Sequence, residues 1–362
     1  MSITIPNIPK PDVAVMKRRT LVKYLCVSAL GVATAGCLQQ GPTTEKANES
    51  IPAEQQTLTV YSGRGESLIG PLIEKFKKDT GINAEVRYGK TAELAATILE
   101  EGKNSPADLF FAQDAGALGS LSSEGRLLKL PDNLLNRVEP RFRSRTGTWI
   151  GITGRARTVD YNMKLVEKAA LPESIWGFVD PRWNGGKIGW APTNGSFQAF
   201  ITALRVLEGE EKAREWLLGI IANEPQAYPK NTPIIAALGR GEIHVGFVNN
   251  YYLHRFQAED PGFPVAHHYT KGDAGSMINI AGLGILDSAP DPELAGRFIS
   301  YLLDEGAQTY FSTTTYEYPL VEGIRVLGPQ KPRSEIMTPD IDLSDLDDLR
   351  GTLKLLQDVG AL

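Results

Sequence analysis

Cysteine is almost missing from this chain of 362 residues: Cys26 and Cys37 are its two, both within the first 37 positions. From residue 38 onward there is no thiol. No disulfide framework can hold the fold, and no zinc or iron–sulfur centre can be built on thiolates. Histidine is scarce as well, with four: His244, His254, His267 and His268. The last two are neighbours on an expected strand, where adjacent side chains point to opposite faces, so they read as structural rather than as a shared metal site. Positive charge is not in excess. The formal net charge is −5, and residues 1–37 hold five bases and one acid, leaving 33 bases against 42 acids in the rest. That balance argues against nucleic acid as a partner. Catalytic signatures are lacking too. Ser67 and the run Ser312-Thr313-Thr314-Thr315 offer hydroxyls outside any nucleophile-elbow pattern, and Asp345, Asp347 and Asp348 read as solvated surface. An exported hydrolase is therefore disfavoured, and the chain is not expected to be an enzyme.

Residues 1–37 look like an export and lipoprotein signal region. The run Met16-Lys17-Arg18-Arg19-Thr20-Leu21-Val22-Lys23 is basic, and the apolar stretch 24–35 behind it is too short for a permanent membrane span. Paired arginines in this setting resemble a twin-arginine signal, the route of proteins exported after folding. Thr34-Ala35-Gly36-Cys37 resembles a lipoprotein cleavage box with Cys37 as the lipidated residue, although Thr34 stands where leucine is usual. The alternative is a plain secretory signal with an incidental cysteine. Met16 is a more natural start than Met1, because residues 1–15 fit no signal pattern. Residues 38–56 are polar and mixed, and read as a flexible tether.

Beyond the tether the composition is that of an ordinary globular protein, and the length suits two domains. A strand at 57–61 runs into the glycine-rich turn Ser62-Gly63-Arg64-Gly65-Glu66. Leu68, Ile69, Leu72, Ile73 and Phe76 then recur at helical spacing up to Gly81. A strand at 82–88, a helix opened by Thr91, a strand at 107–111 and a small-residue helix after Gln113-Asp114 follow. Alternation at this spacing implies βαβ units and a parallel sheet. A second series begins with strands at 149–153, 157–161 and 187–190. Helices at 196–207, 210–222 and 232–238 follow, then a strand at 243–248 and a helix at 251–257. A strand at 278–286 and helices at 292–303, 305–312 and 344–358 end the chain. Two α/β lobes on an exported, acidic chain suggest a solute-binding receptor.

The candidate site centres on Asn249-Asn250-Tyr251-Tyr252, where a buried strand stops and a helix begins. Open α/β sheets bind ligands at such strand ends, and two phenols there can lean into one crevice. Two phenolates suit a hard, highly charged cation, and Fe(III) is the biological ion that holds phenol oxygen deprotonated at neutral pH. The bland reading, half-buried tyrosines serving as packing, stays open on the pair alone. Two turns lead into helix amino termini, Ser62–Glu66 and Asn194-Gly195-Ser196, and their free N–H groups make each an anion site. Arg64 adds a guanidinium suited to gripping an oxyanion.

These stretches together resemble the ferric-ion-binding proteins of bacterial iron ABC transporters, over nearly all of the chain from Leu58 onward. The resemblance is carried by Val60-Tyr61-Ser62-Gly63-Arg64, Thr91-Ala92-Glu93-Leu94, Pro106-Ala107-Asp108-Leu109-Phe110, Gly154-Arg155-Ala156-Arg157 and Pro192-Thr193-Asn194-Gly195-Ser196-Phe197. Its most specific marks are Asn249-Asn250-Tyr251-Tyr252 and Gly272-Asp273-Ala274-Gly275. It implies a two-lobed α/β periplasmic-binding (Venus-flytrap) fold, each lobe a central mixed sheet flanked by helices, with 57–153 and 278–362 in lobe 1 and 154–277 in lobe 2. It further implies Fe(III) in the cleft, with Tyr251 and Tyr252 as metal ligands. A synergistic phosphate or carbonate would lie at Asn194, Gly195, Ser196, Asn231 and Asn249, or at Arg64 and Arg155. The ferric ion or ferric chelate would pass to an ABC permease, the receptor being periplasmic or at the outer face of the cytoplasmic membrane and held there by its lipid anchor. A monomer is the default.

The chain departs from the family pattern at four ligand positions. A histidine ligand of some members falls at Gly65, a tyrosine at Glu66, a glutamate at Gln113 and a third tyrosine at Phe197. Glu66 and Gln113 are the expected oxygen donors in their place. The alternative on the same fold is a receptor for a small anionic or organic solute, with the tyrosines stacking on it or hydrogen-bonding it.

Overall fold

The structure is a computed structural model and describes residues 56–362. The export region, Cys37 and the tether up to residue 55 lie outside the described residues. In chain order the first elements are β1 (Thr57–Ser62), α1 (Glu66–Thr80), β2 (Asn83–Tyr88), α2 (Thr91–Glu101), β3 (Leu109–Ala112), α3 (Ala115–Ser123), α4 (Asp132–Leu135) and β4 (Ile150–Asn162). Next come β5 (Ile188–Trp190), α5 (Gly195–Glu208), α6 (Glu210–Ala222), β6 (Gln226–Ala227), α7 (Asn231–Arg240), β7 (Val245–Asn249), α8 (Tyr251–Glu259) and β8 (Val265–His268). The last are β9 (Ile278–Ile285), α9 (Pro292–Leu303), α10 (Glu305–Thr313), β10 (Tyr318–Pro319) and α11 (Leu349–Asp358).

Local chemistry explains the borders. In α1, Leu68, Ile69, Leu72, Ile73 and Phe76 form the buried stripe, and Gly81 at φ 72° stops the helix with its N–H on the Lys77 carbonyl. In α9, Asp291 accepts from the Leu294 N–H while Pro292 fills the first turn. Phe76 meets Phe298 edge-on at 5.0 Å, locking α1 to α9. Each such ring removed from water contributes about 2 kcal/mol.

One mixed sheet runs in the order β2-β1-β3-β9-β4-β7-β5-β6, with β8 and β10 also on β4. The β1 pairs with β2 and β3 are parallel, as are the β5 pairs with β6 and β7. Every pairing of β4 is antiparallel. Its first half pairs with β9 and β10 and its second half with β7 and β8, so β4 belongs to both halves of the sheet. This differs from the two strands expected at 149–153 and 157–161. Gly154 and two arginines look like an interruption in sequence, yet all of β4 is buried and continuous. The expected helix at 344–358 is likewise divided: a short 3-10 turn at Leu343–Leu346 precedes α11, which Asp348 caps through the Gly351 N–H. Among the described residues no helix is long and apolar enough to cross a membrane.

Candidate functional site

The halves of the sheet meet where β4 passes from β9 to β7, and there Arg157 stands opposite Asn249, the last residue of β7. Asn250 fixes this corner. Its Oδ1 accepts from the Ala156 N–H at 2.9 Å, and its own N–H donates to the Ala156 carbonyl at 3.0 Å. The chain then turns directly into α8. Tyr251 is fully buried and Tyr252 nearly so, their rings stacked at 4.1 Å between centroids. The Tyr251 hydroxyl has no hydrogen-bond partner. Burial, and then Tyr252, push the Tyr251 pKa well above its ordinary value, although Arg64 and Arg155 pull the other way. A phenolate at this position therefore needs a strong counter-charge.

Three arginines surround the pair. The Arg64 guanidinium lies 5.8 Å from the Tyr251 ring centroid and donates to Glu317 Oε2 at 2.6 Å. Burial opposes its charge, but Glu317 and the tyrosines outweigh that and hold its pKa up. Arg155 is 1 % exposed, and none of its three guanidinium nitrogens has a partner. Its pKa is lowered by burial and by Arg64. Arg157 spans the Phe197 and Phe200 rings, donates to the Phe247 carbonyl at 3.0 Å, and is pushed down to about 9 by burial and Arg155. Seven guanidinium nitrogens in these side chains are buried without a partner. Such groups are costly unless an acceptor completes them.

Asn194 Oδ1 accepts from the Ser196 N–H at 3.1 Å and its hydroxyl at 2.6 Å, capping α5, and Asn231 donates to Ser196 Oγ at 3.3 Å. The amides or carbonyls of Asn231, Asn249 and Asn250 each keep one buried atom unpartnered. Gly195 packs against the other half: a Cβ there would sit 2.8 Å from Asp114 Oδ2 and 3.4 Å from Thr91 Cβ. Asp114 caps α3 through the Ala117 N–H, and burial raises its pKa to about 6.

The expected residues thus fall into two groups. Tyr251, Tyr252, Arg64 and Arg155 come together, buried, at the corner that follows Asn249, while Ser196 and Asn231 are buried on each other with Asn194 and Gly195 half-buried beside them. Gln113 is also buried, its N–H on Thr91 Oγ1 at 3.3 Å. Glu66 stands apart: it is exposed on the first turn of α1, with its stem beside Gly70 and its charge felt by Tyr88. Sequence reasoning missed Glu317, Asp114 and Arg157. Strand alternation from Arg155 points to Arg157 on the same face; Glu317 has no local signal. The histidine pair divides as strand geometry requires, His267 to Asp160 and His268 to the Pro172 carbonyl, both at 2.6 Å. Among the described residues no three His, Cys, Asp or Glu side chains form a metal-holding group.

The sequence profile of a family described as bacterial extracellular solute-binding proteins matches residues 71–330. The major ferric iron-binding protein of Neisseria meningitidis serogroup A is 28 % identical over 309 residues, which is 84 % of this chain and 92 % of that protein. The crystal structure of iron-bound HitA from Pseudomonas aeruginosa matches with TM-score 0.80 and 33 % identity, covering 84 % of this chain and 99 % of that one. The Trichodesmium protein IdiA (FutA), in complex with iron and citrate ligands, matches with TM-score 0.71 and 30 % identity over 84 % and 99 %.

Proposed function

The chain belongs to the bacterial extracellular solute-binding proteins, two-lobed substrate receptors rather than enzymes, and from that premise we propose that it binds Fe(III) between its lobes. Tyr251 and Tyr252 coordinate the ion, and Arg155 with Arg64 holds an anion, carbonate or phosphate, that completes the shell. Asn194, Gly195, Ser196, Asn231 and Asn249 line the anion's side. The 57–153 and 278–362 segments build one lobe and 154–277 the other, β4 crossing between them. Gln113 serves as a further oxygen donor. Glu66 would have to swing in from the surface, and we assign it no fixed place in the shell.

The observation that carries this reading is the unpartnered, fully buried Tyr251 phenol, stacked on Tyr252 amid guanidinium nitrogens that also lack partners. A trivalent cation supplies the drive to deprotonate the phenols, and an anion satisfies the arginines. The relatives' bound iron, and in one case iron with citrate, supports the same assignment. Delivery to an ABC permease, anchoring through Cys37, a location in the periplasm or at the outer face of the cytoplasmic membrane, and a monomeric state belong to this proposal.

The buried guanidinium groups also support a second reading, a receptor for a small anionic solute without metal. Competition for ferric ion against citrate separates the two. Tyr251→Phe and Tyr252→Phe should each weaken ferric affinity about hundredfold or more, given that even groups behind metal ligands change affinity by about 10- to 100-fold. Unchanged ferric affinity in both variants, with an anion still bound, would favour the second reading.

A further inference from the structure

Glu317 is fully buried, and each of its side-chain bonds runs to the site or its frame. Arg64 Nη2 and Thr315 Oγ1 donate to Oε2 at 2.6 and 2.9 Å, and Thr153 Oγ1 donates to Oε1 at 3.0 Å. It follows Tyr316, which is held at φ 59°, a left-handed conformation unfavourable for a tyrosine. Such strain persists where the surrounding structure fixes the segment, and here it brings a buried carboxylate onto Arg64. The charge of Glu317 is felt by Arg64, Arg155 and Tyr251. Both of these arginines are assigned to the anion.

Three guanidinium groups, Arg64, Arg155 and Arg157, face the buried carboxylates Glu317 and Asp114, and Asp160, bonded to His267, acts on Arg157 as well. Of these carboxylates Glu317 is the one bonded to an arginine assigned to the anion. Removing its charge raises the positive charge facing the anion by one, which favours an anion of higher charge, such as a tricarboxylate, over carbonate or hydrogen phosphate.

We propose that Glu317 is a specificity residue whose buried charge, set on Arg64, favours an anion of the carbonate or hydrogen phosphate class over a more highly charged tricarboxylate as the partner of the ferric ion. The inference rests on the ferric reading above. Glu317→Gln keeps the side chain's size and an acceptor for Arg64 while removing its charge; Glu317→Asp keeps the charge.

The test is ferric affinity of the purified mature protein, measured with bicarbonate and with citrate as the added anion. The citrate-to-bicarbonate ratio, taken relative to wild type, cancels chelation in solution. Glu317→Gln should move that ratio about tenfold or more toward citrate, as expected for one buried unit charge at short range. Glu317→Asp should stay within about twofold of wild type. A ratio unmoved in Glu317→Gln, or moved equally in both variants, overturns the inference while leaving the ferric reading intact. A wild-type protein that takes up no ferric ion with either anion overturns both.

Discussion

At Asp114 one carboxylate oxygen caps α3 while the other faces Gly195 without a partner. Its pKa of about 6, against 3.8 ordinarily, means the folded protein takes up this proton before the unfolded chain does. The cost of the buried charge is therefore full above pH 6 and fades as pH falls from 6 to 4. A rise of that size corresponds to about 3 kcal/mol. Asp114→Asn retains a capping oxygen, so it should stabilise the metal-free protein at pH 7.5 by about 1–3 kcal/mol. Denaturation across pH should show that advantage vanishing near pH 4. A variant less stable at pH 7.5 would mean that attraction to Arg155 outweighs burial. Residues of this kind divide by how local their signal is. The tyrosine pair and the Arg64 turn were legible because a strand end or helix start marks them. Glu317 lies in a polar run and owes its role to Arg64, 253 positions away in sequence.

Among the elements, α3 was legible as a helix of small residues, but the reason for the small residues was not. The chain's last segment fills that space. A Cβ on Gly116 would sit 2.6 Å from the Leu346 carbonyl oxygen, and one on Gly119 would sit 2.7 Å from Asp347 Cβ. Beyond that point α11 reaches α5, where Thr202 and Thr352 share a hydrogen bond at 2.7 Å and Arg205 meets Asp348 at 2.7 Å. The terminal segment thus bridges a helix following β3 and a helix following β5. Gly116→Ala should be better for an isolated helix yet destabilise the protein by about 1–3 kcal/mol, because the obstacle is backbone. Chemical denaturation reads this directly, and a stabilised variant would show that the segment is free to shift. β4 illustrates the opposite limit of legibility. Buried arginines in a strand contradict the usual reading of charge as surface, and their guanidinium nitrogens are left without partners.

For the whole molecule, the acidic balance and the α/β alternation pointed to a receptor, while the antiparallel strand shared by both halves of the sheet was not foreseeable from period alone. Strand pairing over such separations is set by tertiary packing. That arrangement brings the 194–196 turn onto Thr91 and Asp114. The reading that iron binds at the tyrosine pair is tested most directly by titrating the metal-free mature protein with ferric citrate near neutral pH while recording its visible spectrum. A tyrosinate-to-iron charge-transfer band should appear, saturate at about one equivalent for a single site, and be absent from the Tyr251→Phe/Tyr252→Phe variant. No band at any pH near neutral, or one that survives the double substitution, contradicts it.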